Sequence, residues 1–256
     1  MSQFEDIAGE MAELGAVLSE AKSVCVLTGA GVSAESGIPT FRGPDGLWKK
    51  YRIEELATPE AFARNPMLVW EWYAWRREIM HNAQPNPAHY ALAELEDQIA
   101  TRPGASFTLV TQNVDGLHER AGSRNILRLH GSVWELRCTR CGIEREDRSV
   151  PLNPFPPHCA CGKMMRPAVV WFGEVLPEVA LQQSIRAAAA ADLFLVVGTS
   201  ALVYPAASLP VVAKRNGARV IEINPDPTPL SEIADLTLSG KAGEILGKLR
   251  SKRPVM

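Results

Sequence analysis

The sequence predicts an α/β protein whose main domain is a doubly wound parallel sheet. Short apolar runs alternate with longer helical patterns along most of the chain, which is the pattern of parallel strands joined by helices. A glycine-rich turn follows the first apolar run, at 24–27, where such sheets commonly bind a ligand. Four of the five cysteines cluster in a later, proline-rich segment, which indicates a small metal-bearing unit set into the sheet.

Length and charge limit the class of protein. The chain has 256 residues, 46% of them hydrophobic, enough for one large core with a small inserted domain. Its formal net charge of −2 gives no electrostatic footprint for nucleic acid or an anionic membrane. No apolar run reaches the about 18 residues of a transmembrane helix, and the N-terminal segment has the spacing of an amphipathic helix rather than a signal peptide. We therefore expect no direct nucleic-acid or membrane partners. The cysteines are clustered with metal spacing rather than as a disulfide framework, which predicts a reducing cytoplasm, and we expect a monomer.

Helices and strands follow in order after the glycine-rich turn. The stretch 51–80, which is rich in Glu, Ala, Arg and Trp and is broken by Pro59 and Pro66, predicts two or three short helices. Apolar periodicity then predicts alternating helices and buried strands. These are a helix over 88–100, a strand over 107–110, a helix over 177–191 and strands over 193–197, 219–223 and 236–238.

The turn after the first strand has the form of a dinucleotide-binding loop. It runs from Gly29 and Gly31 through Ser33 and Ala34, and G-x-G-x-x-A lets backbone N–H groups approach a pyrophosphate. Alone the pattern is weak, since an ordinary strand-to-helix turn has the same glycines. The acidic residue expected about 20 positions on, at the end of a second strand, is missing, because Asp45 lies in a Pro-Gly turn. A dehydrogenase fingerprint is therefore incomplete.

The loop continues as GIPTFRGPDGLW, through Phe41 and Arg42 to Trp48. The whole string resembles the cofactor loop of the sirtuins, the NAD-dependent protein-lysine deacylases, which has the form GAGxSxxSGIPxFR followed by GxxGLW. Every fixed position is filled. The resemblance implies that NAD is a co-substrate and that Ala30, Phe41 and Arg42 shape and cover its riboses and phosphates.

A second string, TQNVDGLH, follows the strand at 107–110. Polar residues at the carboxyl end of a parallel strand lie where α/β sheets bind ligands. An Asx turn would explain the local pattern but not why Gln112, Asn113, Asp115 and His118 occur together. The string also resembles the sirtuins, which implies that Asn113 and Asp115 line the nicotinamide pocket and that Gln112 contacts NAD. We interpret His118 as structural.

The segment LRLHG places His130 just before the cysteine cluster. A lone histidine after a short strand is usually structural. Sirtuins place their catalytic histidine in an LHG segment immediately before the zinc module, so the resemblance implies that His130 is the general base. Its unperturbed pKa of about 6.5 suits proton transfer at neutral pH.

The cysteine cluster has metal spacing and resembles a zinc ribbon. Four thiolates suit tetrahedral structural zinc, which leaves no open coordination position. The second pair is C-x-C rather than the usual C-x-x-C, so His158 as a substitute ligand, or a partly filled site, stays open. We expect Cys25 to be a buried core residue in a reducing compartment. The predicted ligands are Cys138, Cys141, Cys159 and Cys161.

The helix predicted over 67–81 carries Trp70, Tyr73 and Arg76 at spacings of three, which places them on one face. An ordinary interpretation is a packing stripe with the arginine outward. The class III sirtuins, which remove succinyl, malonyl and glutaryl groups, carry Y-x-x-R here, so the resemblance implies recognition of an acyl carboxylate. Such a group is ionised at neutral pH and is costly to bury without a charge and a donor, which Arg76 and Tyr73 supply.

The string RPAVVWFGE at 166–174 is a further sirtuin signature and also fits an ordinary buried strand. The resemblance implies that its backbone at 170–173 pairs with an extended substrate peptide, a mode that makes little demand on sequence. The substrate contacts implied here are Val170, Trp171, Phe172, Gly173, Glu174 and, across the peptide, Val203. The remaining NAD contacts implied are Gly198, Thr199, Ser200, Asn224, Asp226 and Ala242.

The resemblance implies a Rossmann-like NAD domain made of 1–44, 87–133 and 168–256, and a smaller helical and zinc-ribbon domain made of 45–86 and 134–167. The implied activity removes succinyl, malonyl and acetyl groups from lysine and yields nicotinamide and O-acyl-ADP-ribose. A hydride-transferring dehydrogenase would need the missing carboxylate, and a nucleic-acid-binding ribbon would need a basic face. Protein mono-ADP-ribosylation would use the same cleft and is the alternative.

Overall fold

Six parallel strands form the main sheet of the computed structural model, which describes residues 3–41, 46–47 and 52–250, with side chains from residue 8 onward. Their order is β3-β2-β1-β7-β8-β9, and every pair is parallel. The central strands are near-continuous Val, Leu and Ile runs because helices cover both faces. The strands are β1 Ser23–Thr28, β2 Ser106–Thr111, β3 Ile126–Arg128, β7 Leu193–Val197, β8 Arg219–Asn224 and β9 Leu236–Ser239.

Helices lie on both faces of this sheet, so the doubly wound prediction is confirmed. One hydrophobic core joins the sheet to α1, α5 and α9, and a second joins its other face to α7 and α8. The strand order reverses between β1 and β7, and the crevice at the carboxyl ends of the strands beside such a switch point is where α/β sheets bind ligands. The bounds are α1 Gln3–Glu20, α5 Pro87–Ala100, α7 Glu178–Ala190, α8 Leu209–Arg215 and α9 Ala242–Gly247.

A second, three-stranded antiparallel sheet is ordered β5-β4-β6. It shares a separate hydrophobic core with three helices of the first insert, in which Val69 and Trp70 are buried with Val133 and Leu136. The two predicted inserts therefore pack on each other, although their boundaries stay a prediction. The elements are α2 Ile53–Leu56, α3 Pro59–Arg64, α4 Pro66–Asn82, β4 Gly131–Cys138, β5 Glu144–Glu146 and β6 Met165–Val169, while α6, Leu117–Ala121, follows β2.

Local structure differs from the sequence predictions at three places. The segment after β1 is a 3₁₀ helix, Ala30–Ser36, rather than a regular helix. The buried strand that the string at 166–174 fits ends at Val169, because the amides of Trp171 and Phe172 donate to Glu174 Oε2 and to the Ala57 carbonyl rather than to β4. The strand β5 is short and exposed, so it carries no apolar signal. No helix among the described residues has the length and apolar content needed to cross a bilayer.

Candidate active site

The loops after β1 and β7 are interlocked through their glycines. The Gly31 amide donates to the Gly198 carbonyl at 2.8 Å. A Cβ on Gly31 would lie 2.7 Å from that carbonyl oxygen, and a Cβ on Gly198 would lie 2.4 Å from the amide nitrogen of Val32. Neither position can hold a side chain, so glycine is required by the contact between the two loops. Two of the predicted NAD-binding segments are thereby held together at the switch point.

The other predicted NAD contacts lie along the same edge of the sheet. Thr199 accepts a hydrogen bond from the Gln112 side-chain amide at 2.9 Å. Asn224, the last residue of β8, donates to the Asp226 carbonyl at 3.1 Å. Ala242 begins α9, which follows β9. Gly29 and Ala34 lie in the glycine-rich loop, and Ser200 lies in the loop after β7. Phe41 is near the end of the first described range, whereas Arg42 and Trp48 lie outside the described residues.

Asp115 and Asn113 meet through the hydroxyl of Ser33. Ser33 Oγ donates to Asp115 Oδ2 at 2.8 Å and accepts from Asn113 Nδ2 at 3.1 Å. The Leu117 amide donates to Asp115 Oδ1 at 2.8 Å. Burial raises the pKa of Asp115, and these hydrogen bonds oppose the rise. Two strings far apart in sequence therefore form one network beneath the glycine-rich loop.

His89 completes this network and was not found from the sequence. The Asn86 amide donates to His89 Nδ1 at 3.2 Å, which leaves Nε2 protonated and 3.4 Å from Ser33 Oγ. Burial lowers the pKa of His89 to about 2 and that of His118 to about 3. Both rings are thus neutral, and their centroids are 4.8 Å apart. The sequence feature that could have identified His89 is a capping box at the start of α5, in which Asn86 is the N-cap and His89 is the N3 residue.

The predicted general base, His130, lies at the junction of the two sheets. Its Nδ1 is 2.9 Å from the carbonyl oxygen of Gln112. A carbonyl only accepts, so Nδ1 carries the proton and Nε2 keeps its lone pair. Burial lowers the pKa of His130, and the bond to Gln112 opposes the fall. The next residue, Gly131, has a φ of 74°, and a Cβ there would lie 2.1 Å from the Ala168 carbonyl oxygen.

Tyr73 and Arg76 face the interior, with exposed fractions of 2% and 6%, so the interpretation of Arg76 as a surface residue is wrong. The Arg76 guanidinium carbon lies 4.6 Å from the centroid of Phe41 and 5.1 Å from that of Trp72. Burial lowers the pKa of Arg76, while Tyr73 and Asp115 oppose the fall. Among the described residues, no carboxylate lies within ion-pair distance of Arg76.

The neighbouring arginine is buried in a contrasting environment. Arg77 donates to the carbonyls of Val133 at 2.6 Å, Asp147 at 2.6 Å and Ser149 at 3.0 Å. Its guanidinium also lies 3.6 Å from the Asp147 carboxylate. Arg77 therefore ties α4 to the second sheet through its two terminal nitrogens, while its buried Nε has no hydrogen-bond partner among the described residues.

The backbone at 170–173, which was predicted to pair with a substrate peptide, already makes some hydrogen bonds within the chain. The amides of Val170 and Trp171 donate to the His130 carbonyl and to Glu174 Oε2. The Gly173 amide donates to no acceptor in the part of the chain that the structure describes. Phe172 is half-exposed, and Val203, which lies in the loop after β7, is partly exposed.

The four predicted cysteine ligands come together. Their sulfur atoms all lie within 4.8 Å of one another, with Cys138 and Cys161 at 3.5 Å and Cys141 and Cys159 at 3.6 Å. Zinc–thiolate bonds of about 2.3 Å in a tetrahedron place sulfurs about 3.8 Å apart, so the set fits zinc. His158 instead lies 2.9 Å from the Pro156 carbonyl and is outside the cluster.

Similarity to known proteins extends over nearly the whole chain. The Sir2 family model matches residues 29–205. NAD-dependent protein deacylase 1 of Archaeoglobus fulgidus is 58% identical over 233 residues, which cover 91% of this chain and 93% of that protein. A solved Sir2 homologue in complex with NAD is 56% identical, with a TM-score of 0.86 and coverage of 93% and 91%. A Sir2 structure with a deacetylated p53 peptide and an O-acetyl ADP-ribose is 37% identical, with a TM-score of 0.82 and coverage of 93% and 96%.

Proposed function

Because this chain belongs to the Sir2 family, we propose that it is an NAD-dependent protein-lysine deacylase. The observation that carries the proposal is the meeting of three separate segments at the switch point of the sheet. The glycine-rich loop contributes Ser33, the turn after β2 contributes Asn113 and Asp115, and the end of the next strand contributes His130. NAD supplies an activated ribose carbon, and the products are free lysine, nicotinamide and O-acyl-ADP-ribose.

His130 acts as the general base in this proposal. Its Nδ1–H is held by the Gln112 carbonyl, so Nε2 is the atom that takes a proton from a ribose hydroxyl. Asn113 and Asp115 hold the nicotinamide amide and a water molecule. Ser33 fixes the side chains of both, which keeps them oriented before the ligand arrives.

We further propose that the acyl groups removed include succinyl and malonyl as well as acetyl. A buried guanidinium without a carboxylate partner is costly, and Arg76 is such a group within the described part of the chain. The Tyr73 hydroxyl is buried beside it on the same face of α4. A terminal carboxylate on the acyl chain would pair with the fork of Arg76 and accept from Tyr73.

The cysteine cluster would hold structural zinc in this enzyme. Four thiolates close the coordination sphere, so the metal stabilises the fold and takes no part in the reaction. The cluster lies at the far end of β4 from Gly131, and the eight residues of this strand span about 23 Å. That separation from His130 supports a structural role.

We also propose that the enzyme works as a cytoplasmic monomer on acylated lysine in extended peptide segments. None of the five cysteines, all of which lie in the described part of the chain, forms a disulfide, which suits a reducing compartment. The Gly173 amide, in the loop after β6, is suited to pair with a peptide backbone.

A panel of acyl-lysine peptides, each incubated with and without NAD, tests the proposal directly. We expect NAD-dependent loss of succinyl, malonyl and acetyl groups. Mass spectrometry with labelled NAD separates deacylation, which leaves the label on a small product, from ADP-ribosylation, which leaves it on protein. Intact succinylated peptide under saturating NAD would contradict the acyl assignment, and intact peptides of every kind would contradict the deacylase assignment.

A further inference from the structure

We propose that Trp171 is a positioning residue that makes Tyr73 a hydrogen-bond donor toward the acyl tail. The inference rests on the proposed removal of acyl groups that end in a carboxylate. It assigns a role to the indole side chain of Trp171, in addition to any backbone contact of that residue with a peptide.

The direction of the hydrogen bond between the two residues is fixed by chemistry. Trp171 Nε1 lies 2.9 Å from the Tyr73 hydroxyl oxygen, and both side chains are buried. An indole nitrogen donates and never accepts, whereas a phenol does both. Tyr73 must therefore accept from Trp171, and its own proton has to point elsewhere.

That proton has no acceptor within the described part of the chain, where the bond from Trp171 is the one hydrogen bond of the Tyr73 hydroxyl. Arg76 lies one turn along α4 on the same face. The Tyr73 hydroxyl, as a hydrogen-bond donor, and the Arg76 guanidinium, as a cation, therefore lie together in the protein interior. A carboxylate would satisfy both, while the methyl end of an acetyl group would satisfy neither.

The indole is itself held firmly in place. The Arg166 guanidinium carbon lies 3.4 Å from the Trp171 ring centroid. Arg166 pairs with both oxygens of Glu174, at 2.6 and 2.9 Å. Glu174 also accepts from the Trp171 backbone amide at 2.8 Å. The side chain and backbone of Trp171 are therefore fixed by the same ion pair, so the N–H cannot swing away from Tyr73.

This arrangement has two effects on an anionic tail. The N–H takes up one lone pair of the phenol oxygen, so the Tyr73 O–H is directed away from the indole and is available to donate to the tail. It also polarises the O–H bond, because hydrogen bonds in a chain strengthen one another. Both effects favour a carboxylate over a neutral group at the end of the acyl chain.

A double-mutant cycle on the ratio of desuccinylation to deacetylation tests the role of Trp171. Trp171→Phe removes the N–H, and we expect it to lower this ratio of kcat/KM values about threefold to tenfold, the range of one ordinary hydrogen bond. The loss should lie mostly in KM for the succinyl peptide, since the tail is remote from the reacting carbon. In a Tyr73→Phe background the same change should leave the ratio nearly unaltered.

Trp70→Phe is the matched control. Trp70 is buried in the same helix as Tyr73, and its Nε1 donates to the Met165 carbonyl at the same 2.9 Å. This variant loses an indole hydrogen bond but should keep the succinyl-to-acetyl ratio. If Trp171→Phe does not fold, site-specific replacement of Trp171 by benzothienylalanine removes the N–H while the ring volume is retained.

The outcomes separate the inference from the function on which it rests. An equal drop in the ratio with and without the Tyr73 hydroxyl would show that Trp171 acts through packing alone, and the inference would be wrong. A Tyr73→Phe enzyme with an unchanged ratio would contradict the proposed carboxylate recognition itself. A drop confined to enzyme that retains Tyr73 supports both.

Discussion

The two ends of the candidate site differ in how far the chain satisfies its own polar groups. At the NAD end, the Ser33 hydroxyl donates to Asp115 and accepts from Asn113, with His89 behind it. At the acyl end, Arg76 is buried without a carboxylate partner among the described residues. At the NAD end the chain itself orients the polar side chains that would meet the ligand, whereas at the acyl end the buried cation without a carboxylate partner indicates the charge of the ligand.

Two adjacent arginines of α4 repeat this difference. Arg77 is 1% exposed and is surrounded by carbonyl acceptors. Arg76 is nearly as buried, but its guanidinium faces two aromatic rings and has no hydrogen-bond acceptor among the residues that the structure describes. Burial alone therefore does not separate a structural arginine from one that awaits a ligand, and the distinction comes from the hydrogen-bond acceptors around each guanidinium.

The largest expected effect tests the NAD end. His130→Ala should lower both desuccinylation and deacetylation by about 10²–10⁴-fold, the usual contribution of a general base. NAD affinity measured by calorimetry should be retained, because the glycine-rich loop is unchanged. His81→Ala, at the exposed end of α4, is the matched control and should remain fully active. A His130→Ala enzyme with near-normal turnover would exclude its role as the base.

The next effect tests the acyl end. Arg76→Met leaves an anionic tail without its buried partner, which costs about 3–5 kcal/mol, or roughly 10²–10⁴ in the rate of desuccinylation. Deacetylation should be spared or improved. Arg77→Met should instead lower Tm and leave the ratio of the two activities unchanged. Equal loss of both activities in Arg76→Met would refute the assignment.

A third effect concerns the second sheet, whose stability we expect to depend on metal. Cys141→Ser should reduce bound zinc, measured by elemental analysis, and lower Tm by about 5–10 °C. Cys25→Ala changes a buried cysteine of the main sheet and should retain one zinc per chain. Full zinc content in Cys141→Ser would show that the sulfur of Cys141 is not a ligand.

The smallest effect is on pH dependence. Burial lowers the pKa of His130 below its usual 6.5, so the neutral base persists to more acidic pH. The acid limb of kcat/KM for an acetyl peptide should therefore have its midpoint below about 6.5. The acetyl peptide is used because it carries no tail that titrates. A midpoint above pH 7 would contradict the buried, neutral His130.

Much of the site could be predicted from sequence because its residues fall in contiguous strings. The glycine-rich loop, the turn after β2, His130 and the cysteine pairs each carry a local signal. The sequence could not predict that Arg76 points inward, since helix spacing gives a shared face but not what covers it. The contact between Trp171 and Tyr73 joins the first insert to the segment that follows the second insert, and only the packing of α4 against that segment brings them together.

The packing of Gly131 against Ala168 should make catalysis sensitive to damage at the cysteine cluster. Gly131, which follows His130, packs so closely on Ala168 that a Cβ there would lie 2.1 Å from the Ala168 carbonyl oxygen, so His130 is anchored to the paired strands β4 and β6 of the second sheet. The same strands lead to the cysteine cluster, which β4 enters at Cys138. Oxidation of those thiols should therefore abolish turnover by displacing His130 while the main parallel sheet and its helices remain folded. Inactivation by mild oxidants would then precede loss of helical circular dichroism.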